Sequence, residues 1–479
     1  MLKSHDYRLE PNEERFNAVE NGRSPFGGSL VFSLKKHCQD CKKKIFDGIM
    51  EDRREGISMD EYRIHRHILC IDLKSFYASV ECALLGLDPF ATPLVVADAS
   101  RGGGSIVLAV SPYLKKFGVP GRCRIYELPK NIDIIFATPR MEKYLEYSTK
   151  IVEIYLRFVS EEDLYVYSID EVFMDFSEYR DYYRKTDRQI AQMILDAIYQ
   201  ETKITATCGI GPNMLLAKLA LDIESKKAPD FIAEWTYDNF QEKLWGLSPL
   251  SEMWGIGHNT EASLNKLGIF TVGDLARFDV VKLKKKFGII GEELYYHANG
   301  IDQSLIQDKF NIKPVAKSYG TGQTLFRDYY RPDVYQIILE LVDDVCRRLR
   351  LSRKKATTVH LGIGYSKDSG GGFGRQIKLP TPSANEAEIY QACLHLFNTS
   401  YEEEPIRRVN VAVTGLVEQP ELQTNLFEDI SKVIKEQQIF STLDEVKFKF
   451  GKNSVNRASS ETKASTVKAR NEQIGGHRA

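Results

Sequence analysis

The sequence lacks the marks of a membrane or secreted protein. Its 479 residues contain no apolar run long enough to span a bilayer, and the N-terminus has no signal-peptide core. An excess of positive charge is also missing, because 65 Lys and Arg are balanced by 66 Asp and Glu. The composition therefore gives no overall signal for nucleic-acid binding, and any contact with a polyanion must come from local clusters of basic residues.

Cysteine is scarce and scattered. Six of the eight cysteines stand singly, mostly within apolar stretches, at positions 70, 82, 123, 208, 346 and 393. This pattern predicts reduced core thiols in a cytoplasmic protein rather than a disulfide framework. Cys38 and Cys41 form one Cys-x-x-Cys without a second pair, which disfavours a zinc site.

Two strand-like apolar stretches carry three acidic residues. Asp72 interrupts the stretch that begins at His67, and Asp170 and Glu171 interrupt the one that begins at Leu164. An ionised carboxylate among Ile, Val and Phe is unfavourable unless it is paired or binds a cation. Oxygen donors of this kind suit Mg²⁺, and two such ions could stabilise the oxygens of a nucleotidyl transfer. On spacing alone, an ordinary pair of solvated acids remains the alternative.

Two motifs around these acids are more specific than their spacing. Asp72-x-x-x-Phe76-Tyr77-Ala-Ser and Ser168-Ile-Asp170-Glu171-Val-Phe-Met-Asp resemble the signature motifs of Y-family translesion DNA polymerases. The resemblance runs from about residue 66 to the C-terminus. It is closest to the catalytic subunit of bacterial polymerase V and its relatives in Gram-positive chromosomes and mobile elements. It implies a DNA-directed DNA polymerase of the SOS response, with error-prone synthesis opposite damaged template bases.

The implied fold is α+β, a multidomain right-hand polymerase with a ferredoxin-like palm, small fingers, a helix-hairpin-helix thumb and an α/β little finger. The predicted elements, with residues 86–139 set aside, follow the βα-ββαβ order of such a palm. A tight turn before the second acidic strand would let Asp170 and Glu171 face one cavity, which strand alternation forbids. The expected division of the chain is a polar, poorly ordered extension (1–65), palm (66–85 and 140–232), fingers (86–139), thumb (233–305), linker (306–316), little finger (317–420), and clamp-binding motif with basic tail (421–479).

The resemblance also implies roles for particular residues. The ligands of two Mg²⁺ ions would be Asp72, Leu73 through its backbone carbonyl, Asp170 and Glu171. Phe76 would stack under the sugar of the incoming dNTP. Tyr77 would be the steric gate that excludes a ribose 2′-hydroxyl. Plain helix packing is the alternative for this aromatic pair. Family members usually begin just before the first strand, so residues 1–65 depart from the pattern, and Met59 is a candidate start.

Two lysines are expected at the triphosphate. In Ser111-Pro-Tyr-Leu-Lys115, Pro112 and Lys115 fall where many family members carry a Tyr-x-x-Arg that grips the triphosphate. Lys115 keeps the point charge but loses the bidentate fork of Arg; a solvated helix end is the alternative. The segment 217–227 matches the region that supplies a second phosphate-binding lysine. Its register is ambiguous by one residue, and Lys226 is the chosen candidate.

Three downstream features point to DNA and a clamp. Trp254-Gly-Ile-Gly257 resembles a helix-hairpin-helix, whose glycine turn exposes backbone N–H groups to a DNA phosphate. Residues 345–380 hold nine Lys or Arg against one Asp, which favours a DNA-binding face. The segment that contains Gln423, Leu426 and Phe427 is similar to the Gln-x-x-Leu-Phe motif by which bacterial polymerases dock on the sliding clamp.

The expected partners are therefore primer–template DNA, a dNTP and a sliding clamp, without a membrane. A recombinase filament or an accessory mutagenesis protein stays open as a further partner. Two other functions also stay open. A nucleotidyl cyclase has paired acids on a ferredoxin-like palm, but it needs no helix-hairpin-helix, basic little finger or clamp motif. A catalytically silent damage-response factor that binds DNA and clamp would be expected to lose an acid, and all three are present.

Overall fold

The computed structural model of the chain describes residues 59–310, 316–418 and 430–479. The chain divides at residues 314 and 315 into two units, which are taken in turn. None of the helices in the described ranges is long and apolar enough to cross a membrane. The Cys38–Cys41 pair and the predicted clamp motif, Gln423 to Phe427, lie outside the described residues.

The first unit alternates short strands and helices. Its strands are β1 (Ile68–Leu73), β2 (Leu94–Ala97), β3 (Val107–Val110), β4 (Ile135–Ala137), β5 (Leu164–Val166), β6 (Glu171–Asp175), β7 (Ala206–Gly211) and β8 (Ile232–Glu234). Its helices are α1 (Phe76–Leu85), α2 (Pro112–Lys116), α3 (Met141–Tyr155), α4 (Arg180–Tyr183), α5 (Asp187–Thr202), α6 (Met214–Leu219), α7 (Phe240–Leu244), α8 (His258–Asn265), α9 (Val272–Arg277), α10 (Val280–Phe287) and α11 (Ile289–Ala298).

A five-stranded sheet forms the centre of this unit. Its strand order is β5-β6-β1-β7-β8, and β1 pairs antiparallel with both β6 and β7. The first four strands have the order of a ferredoxin-like fold, so the predicted palm architecture is confirmed. The central strand β1 is buried on both faces, with Ile68 to Ile71 at most 3% exposed. This double burial explains why its sequence is a continuous apolar run rather than an alternating one.

Helix α6 packs directly on β7. A Cβ atom added to Gly209 would lie 2.1 Å from the carbonyl oxygen of Ala217, so no larger residue fits at this crossing. The sequence predicted one helix from Asn213 to Glu224. The structure instead has α6 followed by a π-helix at Ala220–Ser225. A π-helix widens the turn and accommodates an extra residue, and such turns occur often at functional sites.

Two smaller cores flank the palm. The segment predicted as fingers forms a three-stranded sheet of order β3-β2-β4 around its own apolar cluster. The segment predicted as thumb is helical. Gly257 caps α8, Gly268 makes the following turn in the left-handed region (φ 79°), and Thr271 with Asp274 forms a capping box on α9. These turns produce the helix-hairpin-helix that the sequence predicts.

Residues 59–65 correct one expectation. They belong to the extension for which little order was expected, but Met59 and Tyr62 pack against the apolar core of α7 to α11. The Tyr237 hydroxyl donates to the carbonyl of Ile64 (2.7 Å), and the Gln303 side chain donates to the carbonyl of Tyr62 (3.1 Å). The extension is polar overall, so its composition did not indicate these contacts. Two apolar or aromatic side chains are nevertheless enough to hold a short segment against a core.

The second unit is an antiparallel sheet with helices on one face. Its strands are β9 (Ser318–Tyr329), β10 (Lys354–Tyr365), β11 (Gly372–Ser383), β12 (Ile406–Glu418), β13 (Gln473–Ile474) and β14 (His477–Arg478). Its helices are α12 (Asp333–Leu351), α13 (Glu386–Ser400), α14 (Ile430–Phe450) and α15 (Val467–Asn471). The main sheet has the order β11-β10-β12-β9. Along β10, Val359, Leu361 and Ile363 are buried and alternate with partly exposed residues, so one sheet face packs on the helices.

The basic residues of the stretch 345–380 are divided between different surfaces of the second unit. Its arginines at 347, 348 and 350 lie on α12, on the helical side of the sheet. Arg350 is held by Asp444 of α14 through two hydrogen bonds of 2.8 and 3.0 Å. Lys378 pairs in register with Thr358, so it belongs to the opposite sheet face. The run is continuous in sequence, but part of it lies on a helix and part on strands. Side chains along a strand point alternately to opposite faces of the sheet, so the positive charges are divided further.

The basic tail packs on the same unit. Lys447 pairs with Asp343 of α12 (3.2 Å). The hydroxyl of Thr466 donates to Glu340 (3.2 Å), and Ala464 joins the apolar core. Part of the positive charge in the tail is therefore used to hold the tail to the little-finger helices.

Candidate active site

The three acids lie at one end of the palm sheet. Asp72 and Glu171 are directly opposite each other in the pairing of β1 with β6. Opposed residues of an antiparallel pair share a sheet face, so both side chains point to the face that α6 covers. Asp170 precedes β6 in the turn, where its carboxylate accepts a hydrogen bond from the Ser168 hydroxyl (2.7 Å).

Glu171 is paired with a buried lysine. The Lys218 ammonium, in a residue only 7% exposed, lies 2.8 Å from the Glu171 carboxylate and 3.0 Å from that of Asp222. The Cys70 thiol donates to the same Glu171 oxygen (3.4 Å). Burial raises the pKa of Glu171, and the adjacent Lys218 ammonium opposes the rise. Lys218 thus neutralises an acid that would otherwise be an isolated buried charge.

Asp72 faces a second lysine, Lys226, which follows the π-helix. The Lys226 ammonium is 3.5 Å from the Asp72 carboxylate and 2.9 Å from Asp222. Burial raises the pKa of Asp72 to about 7; Lys226 opposes this rise, while Asp170 and Glu171 add to it. The π-helix lies between Lys218 and Lys226, and Lys226 is the residue that follows it. The structure therefore brings Lys226, the chosen candidate, to the acids.

Within the described residues, no three His, Cys, Asp or Glu side chains are close enough together to hold one metal ion. The sequence predicted that Asp72, Asp170 and Glu171 would form such a set. The structure brings them to the same end of the sheet but places an ammonium group against two of them. An ammonium group beside a carboxylate favours the charged form of the acid, so these two lysines offset part of the negative charge at this end of the sheet.

Tyr77 stands beside this end of the sheet on a rigid aromatic support. Its ring stacks on that of Tyr144, with 4.3 Å between centroids and 13° between planes. The Tyr144 hydroxyl donates to Glu81 (2.7 Å), and Arg140 also pairs with Glu81. Burial and then the charge of Asp170 raise the pKa of Tyr77 to about 12, so its hydroxyl stays protonated at neutral pH.

Phe76 lies differently from its neighbour. It is 3% exposed, and its ring is 5.7 Å from that of Tyr77 in a tilted arrangement. So little exposed surface leaves almost no ring face for a sugar, and the helix-packing alternative describes this side chain better than stacking under a ligand does. The first turn of α1 thus carries one packed ring and one accessible ring.

Lys115 completes the predicted set at the C-terminal end of α2. Desolvation lowers its pKa, Asp72 opposes that effect, and Lys226 and Asp170 also act on it. Lys115 belongs to the segment predicted as fingers, yet charges of the palm affect its pKa. Asp72 acts electrostatically on both Lys115 and Lys226.

Comparison with known families decides what this arrangement belongs to. Residues 71–222 match the model described as the impB/mucB/samB family, and residues 316–426 match its C-terminal domain. Residues 251–302 match the thumb domain of DNA polymerase-iota. The "Putative UV-damage repair protein UvrX" of Bacillus subtilis (strain 168) is 40% identical over 417 residues, which are 86% of this chain and 98% of that protein. The chain belongs to the Y family of DNA polymerases.

A second relative and a solved structure also match most of the chain. "DNA polymerase IV 2" of Bacillus subtilis (strain 168) is 36% identical over 419 residues, again 86% of this chain and 98% of that protein. Among solved structures, "Y-family DNA polymerase chimera Dbh-Dpo4(243-245)-Dbh" superposes with a TM-score of 0.57 at 21% identity, covering 74% of this chain and 99% of that one. The latter likeness supports the Y-family fold that the sequence predicted.

Sequence reasoning missed two lysines of this Y-family site. Lys218 lies in the segment 217–227 and was assigned no role. Its four-residue spacing from Asp222, and that of Asp222 from Lys226, is the signal for ion pairs on one helix face. Lys74 stands inside the first signature motif, two residues after Asp72, and was assigned no role. Only the folded chain shows that it lies beside Lys226, whose carbonyl accepts a hydrogen bond from it (3.3 Å).

Proposed function

We propose that this protein extends primer 3′ ends opposite damaged template bases, by error-prone nucleotidyl transfer from a dNTP. The observation that carries the proposal is that Asp72 lies opposite Glu171 on paired strands, with the Lys226 ammonium 3.5 Å from the Asp72 carboxylate. Acids that attract cations, next to lysines that attract phosphates, suit a metal-bound triphosphate. The relatives named for UV-damage repair and for DNA polymerase IV support the same reaction class.

The carboxylate oxygens are donors that suit divalent metal ions, on which Y-family polymerases generally depend, although lysines pair with two of the acids here and the three are not gathered around one point. Desolvation raises the pKa of the partly exposed Asp72 to about 7, Lys226 opposes the rise, and Asp170 and Glu171 add to it, so the charged form of Asp72 lacks full compensation. A divalent cation supplies that compensation with the hard oxygen ligands that Mg²⁺ prefers. Asp72, Asp170, Glu171 and the Leu73 carbonyl would hold two such ions. When bound, the ions would lower the pKa of the primer 3′-hydroxyl and stabilise negative charge on the phosphates.

The remaining residues bind and select the substrate. Lys226, which pairs with Asp72 and Asp222, would bind the triphosphate of the dNTP through its ammonium group. Lys115 would provide a second point charge for the phosphates. Tyr77, supported by Tyr144, would leave no room for a 2′-hydroxyl on the sugar.

Grip on DNA would come from outside the palm. The glycine turn at Gly257 begins α8, so backbone N–H groups at that helix end are available to a DNA phosphate. The little-finger sheet face away from its helices carries Arg408, Asn410 and His360 among glycines, which leaves room for a phosphate backbone to approach. A sliding clamp would add recruitment.

Primer extension on defined templates tests this function. We expect the protein with Mg²⁺ and dNTPs to extend a primer past an abasic site or a pyrimidine dimer and to misinsert readily on intact template. A nucleotidyl cyclase would instead consume a nucleoside triphosphate without DNA. A silent DNA- and clamp-binding factor would bind primer–template and show no extension on any template, which would overturn the proposal.

Recruitment to the clamp makes a separate prediction. Replacing Gln423, Leu426 and Phe427 together with Ala should leave distributive synthesis on a bare primer unchanged but abolish its stimulation by a loaded clamp. The Leu and Phe side chains would fill an apolar pocket on the clamp, and such anchors are each worth about 1–3 kcal/mol. The measurement is the length of extension products with and without clamp at matched enzyme concentration.

A matched control is available within the same pentapeptide. Thr424→Ala with Asn425→Ala changes the two intervening positions and should keep the clamp response. Lesion-induced mutagenesis in cells should fall with the triple variant alone. Equal stimulation of the triple variant and the unmodified protein would show that the pentapeptide is a chance match.

A further inference from the structure

Lys74 is a partly buried cation next to the acids. It follows β1 directly, where its backbone N–H donates to the carbonyl of Thr205 (2.9 Å). The next residue, Ser75, adopts the left-handed conformation (φ 50°) and turns the chain from β1 into α1. This turn leaves Lys74 between Asp72 and the start of the helix that carries Tyr77.

The Lys74 ammonium is held from one side by a strained aromatic residue. Its nitrogen lies 4.6 Å from the centre of the Phe231 ring and donates to the carbonyl of Lys226 (3.3 Å). Phe231 has a positive φ of 59°, which is unusual for a bulky residue. The Phe231 carbonyl accepts a hydrogen bond from the backbone N–H of Cys208 (2.8 Å). The Phe231 ring stacks on that of Phe90, with 6.3 Å between the ring centroids. The surrounding structure thus holds Phe231 in a costly conformation in which the ring supports a cation.

The charges around Lys74 are mostly of its own sign. The charged groups that act on it are Lys115, Lys226 and Lys116 on one hand and Asp72 on the other. Lys218 and Lys226 each pair with two acids. By contrast, Lys74 makes no ion pair with an acidic side chain in the described part of the palm, and its ammonium has three donors for one hydrogen-bonded carbonyl. A partly buried ammonium among other ammonium groups is favourable only when an anion joins them.

We infer that Lys74 is a third triphosphate-binding lysine, which acts with Lys115 and Lys226 on the phosphates of the incoming dNTP. This inference rests on the proposed function and extends it to a residue that the motif comparison leaves without a role. Many family members carry an Arg at the position of Lys115, and an Arg can bind a phosphate through two N–H groups at once. Three lysines would compensate for that missing bidentate contact with three separate charges. Phe231 is then a positioning residue that holds the Lys74 ammonium toward the acids.

The test is the dNTP dependence of single-nucleotide insertion by Lys74→Ala. We expect KM for the dNTP to rise roughly 10- to 100-fold with kcat nearly unchanged, because a hydrogen-bonded charge contact to the phosphates is lost. Lys74→Arg should recover most of the affinity. Dissociation constants for the correct dNTP on a dideoxy-terminated primer should show the same order, since binding there requires no bond formation.

Lys185→Ala serves as the matched control, because it removes an exposed lysine of the same unit that has no part in the site; it should leave KM unchanged. Phe231→Leu should raise KM less than Lys74→Ala, since it removes the support and keeps the charge. An unmodified protein that fails to extend any primer would overturn the proposed function. An active protein whose KM and dissociation constant are the same with Lys74→Ala would overturn this inference alone.

Discussion

Replacing Asp170 with Asn and Glu171 with Gln should abolish primer extension while DNA binding persists. The two substitutions keep the size of each side chain and remove the charges that would hold divalent ions near the phosphates. Loss of that stabilisation should cost about 4 kcal/mol of barrier, a decrease of roughly a thousandfold or more in the rate of insertion. The rate of single-nucleotide insertion at saturating dNTP measures the effect.

The geometry of Glu171 requires a control for folding. Glu171 neutralises the buried Lys218, and removing one partner of such a pair is destabilising. Thermal unfolding and primer–template affinity of the variant must therefore be measured beside its activity. Glu178→Ala with Asp181→Ala, two exposed acids of the same unit, removes the same amount of charge and should leave insertion unaffected. A charge-free Asp170 and Glu171 variant that extends primers within tenfold of the unmodified protein would contradict the assignment.

Tyr77→Ala should admit ribonucleotides. If the ring excludes the 2′-hydroxyl by its bulk, its removal should lower the preference for dNTP over NTP by roughly a hundredfold, close to 2.7 kcal/mol. The measurement is the ratio of kcat/KM for a dNTP and the matching NTP. The value of kcat/KM for the NTP should rise, while that for the dNTP should change little.

Tyr77→Phe separates bulk from hydrogen bonding. Phe keeps the ring and its stacking on Tyr144 but lacks the hydroxyl, so it should retain the preference for dNTP. A Tyr144→Ala variant should weaken the gate partially, because the Tyr77 ring would lose its support. If Tyr77→Ala leaves the ratio unchanged, the gate lies elsewhere and Tyr77 is a packing residue.

Much of the palm was predictable because its signals are local. The continuous apolar run of β1, the following helix and the second acidic strand have the periods and lengths of their elements, so their order alone indicates a ferredoxin-like sheet. Antiparallel pairing of β1 with β6 then brings Asp72 opposite Glu171. The helix-hairpin-helix was equally visible, since glycines at 257 and 268 and a capping box at Thr271 mark its turns.

Contacts between distant parts of the chain were not predictable in this way. Residues 59–65 were expected to lack order because their composition is polar, yet the folded thumb offers them an apolar surface. The basic run in the little finger indicated DNA contact, but its member Arg350 is neutralised by Asp444, 94 residues away. Charge density along a sequence does not reveal which acids the fold brings to it.

The family, the palm and the positions of the three acids in the chain could be predicted, because motif residues and hydrophobic periods are properties of neighbouring positions. The cations that compensate those acids could not, because they come from a different element. Lys218 reaches Glu171 where Gly209 lets α6 lie against β7, and Lys226, at the end of the π-helix, lies 3.5 Å from Asp72. Lys74 and the strained Phe231 are likewise far apart in sequence and come together only in the folded chain. These pairings depend on how closely the elements pack, and that distance is set by the whole fold rather than by any local pattern.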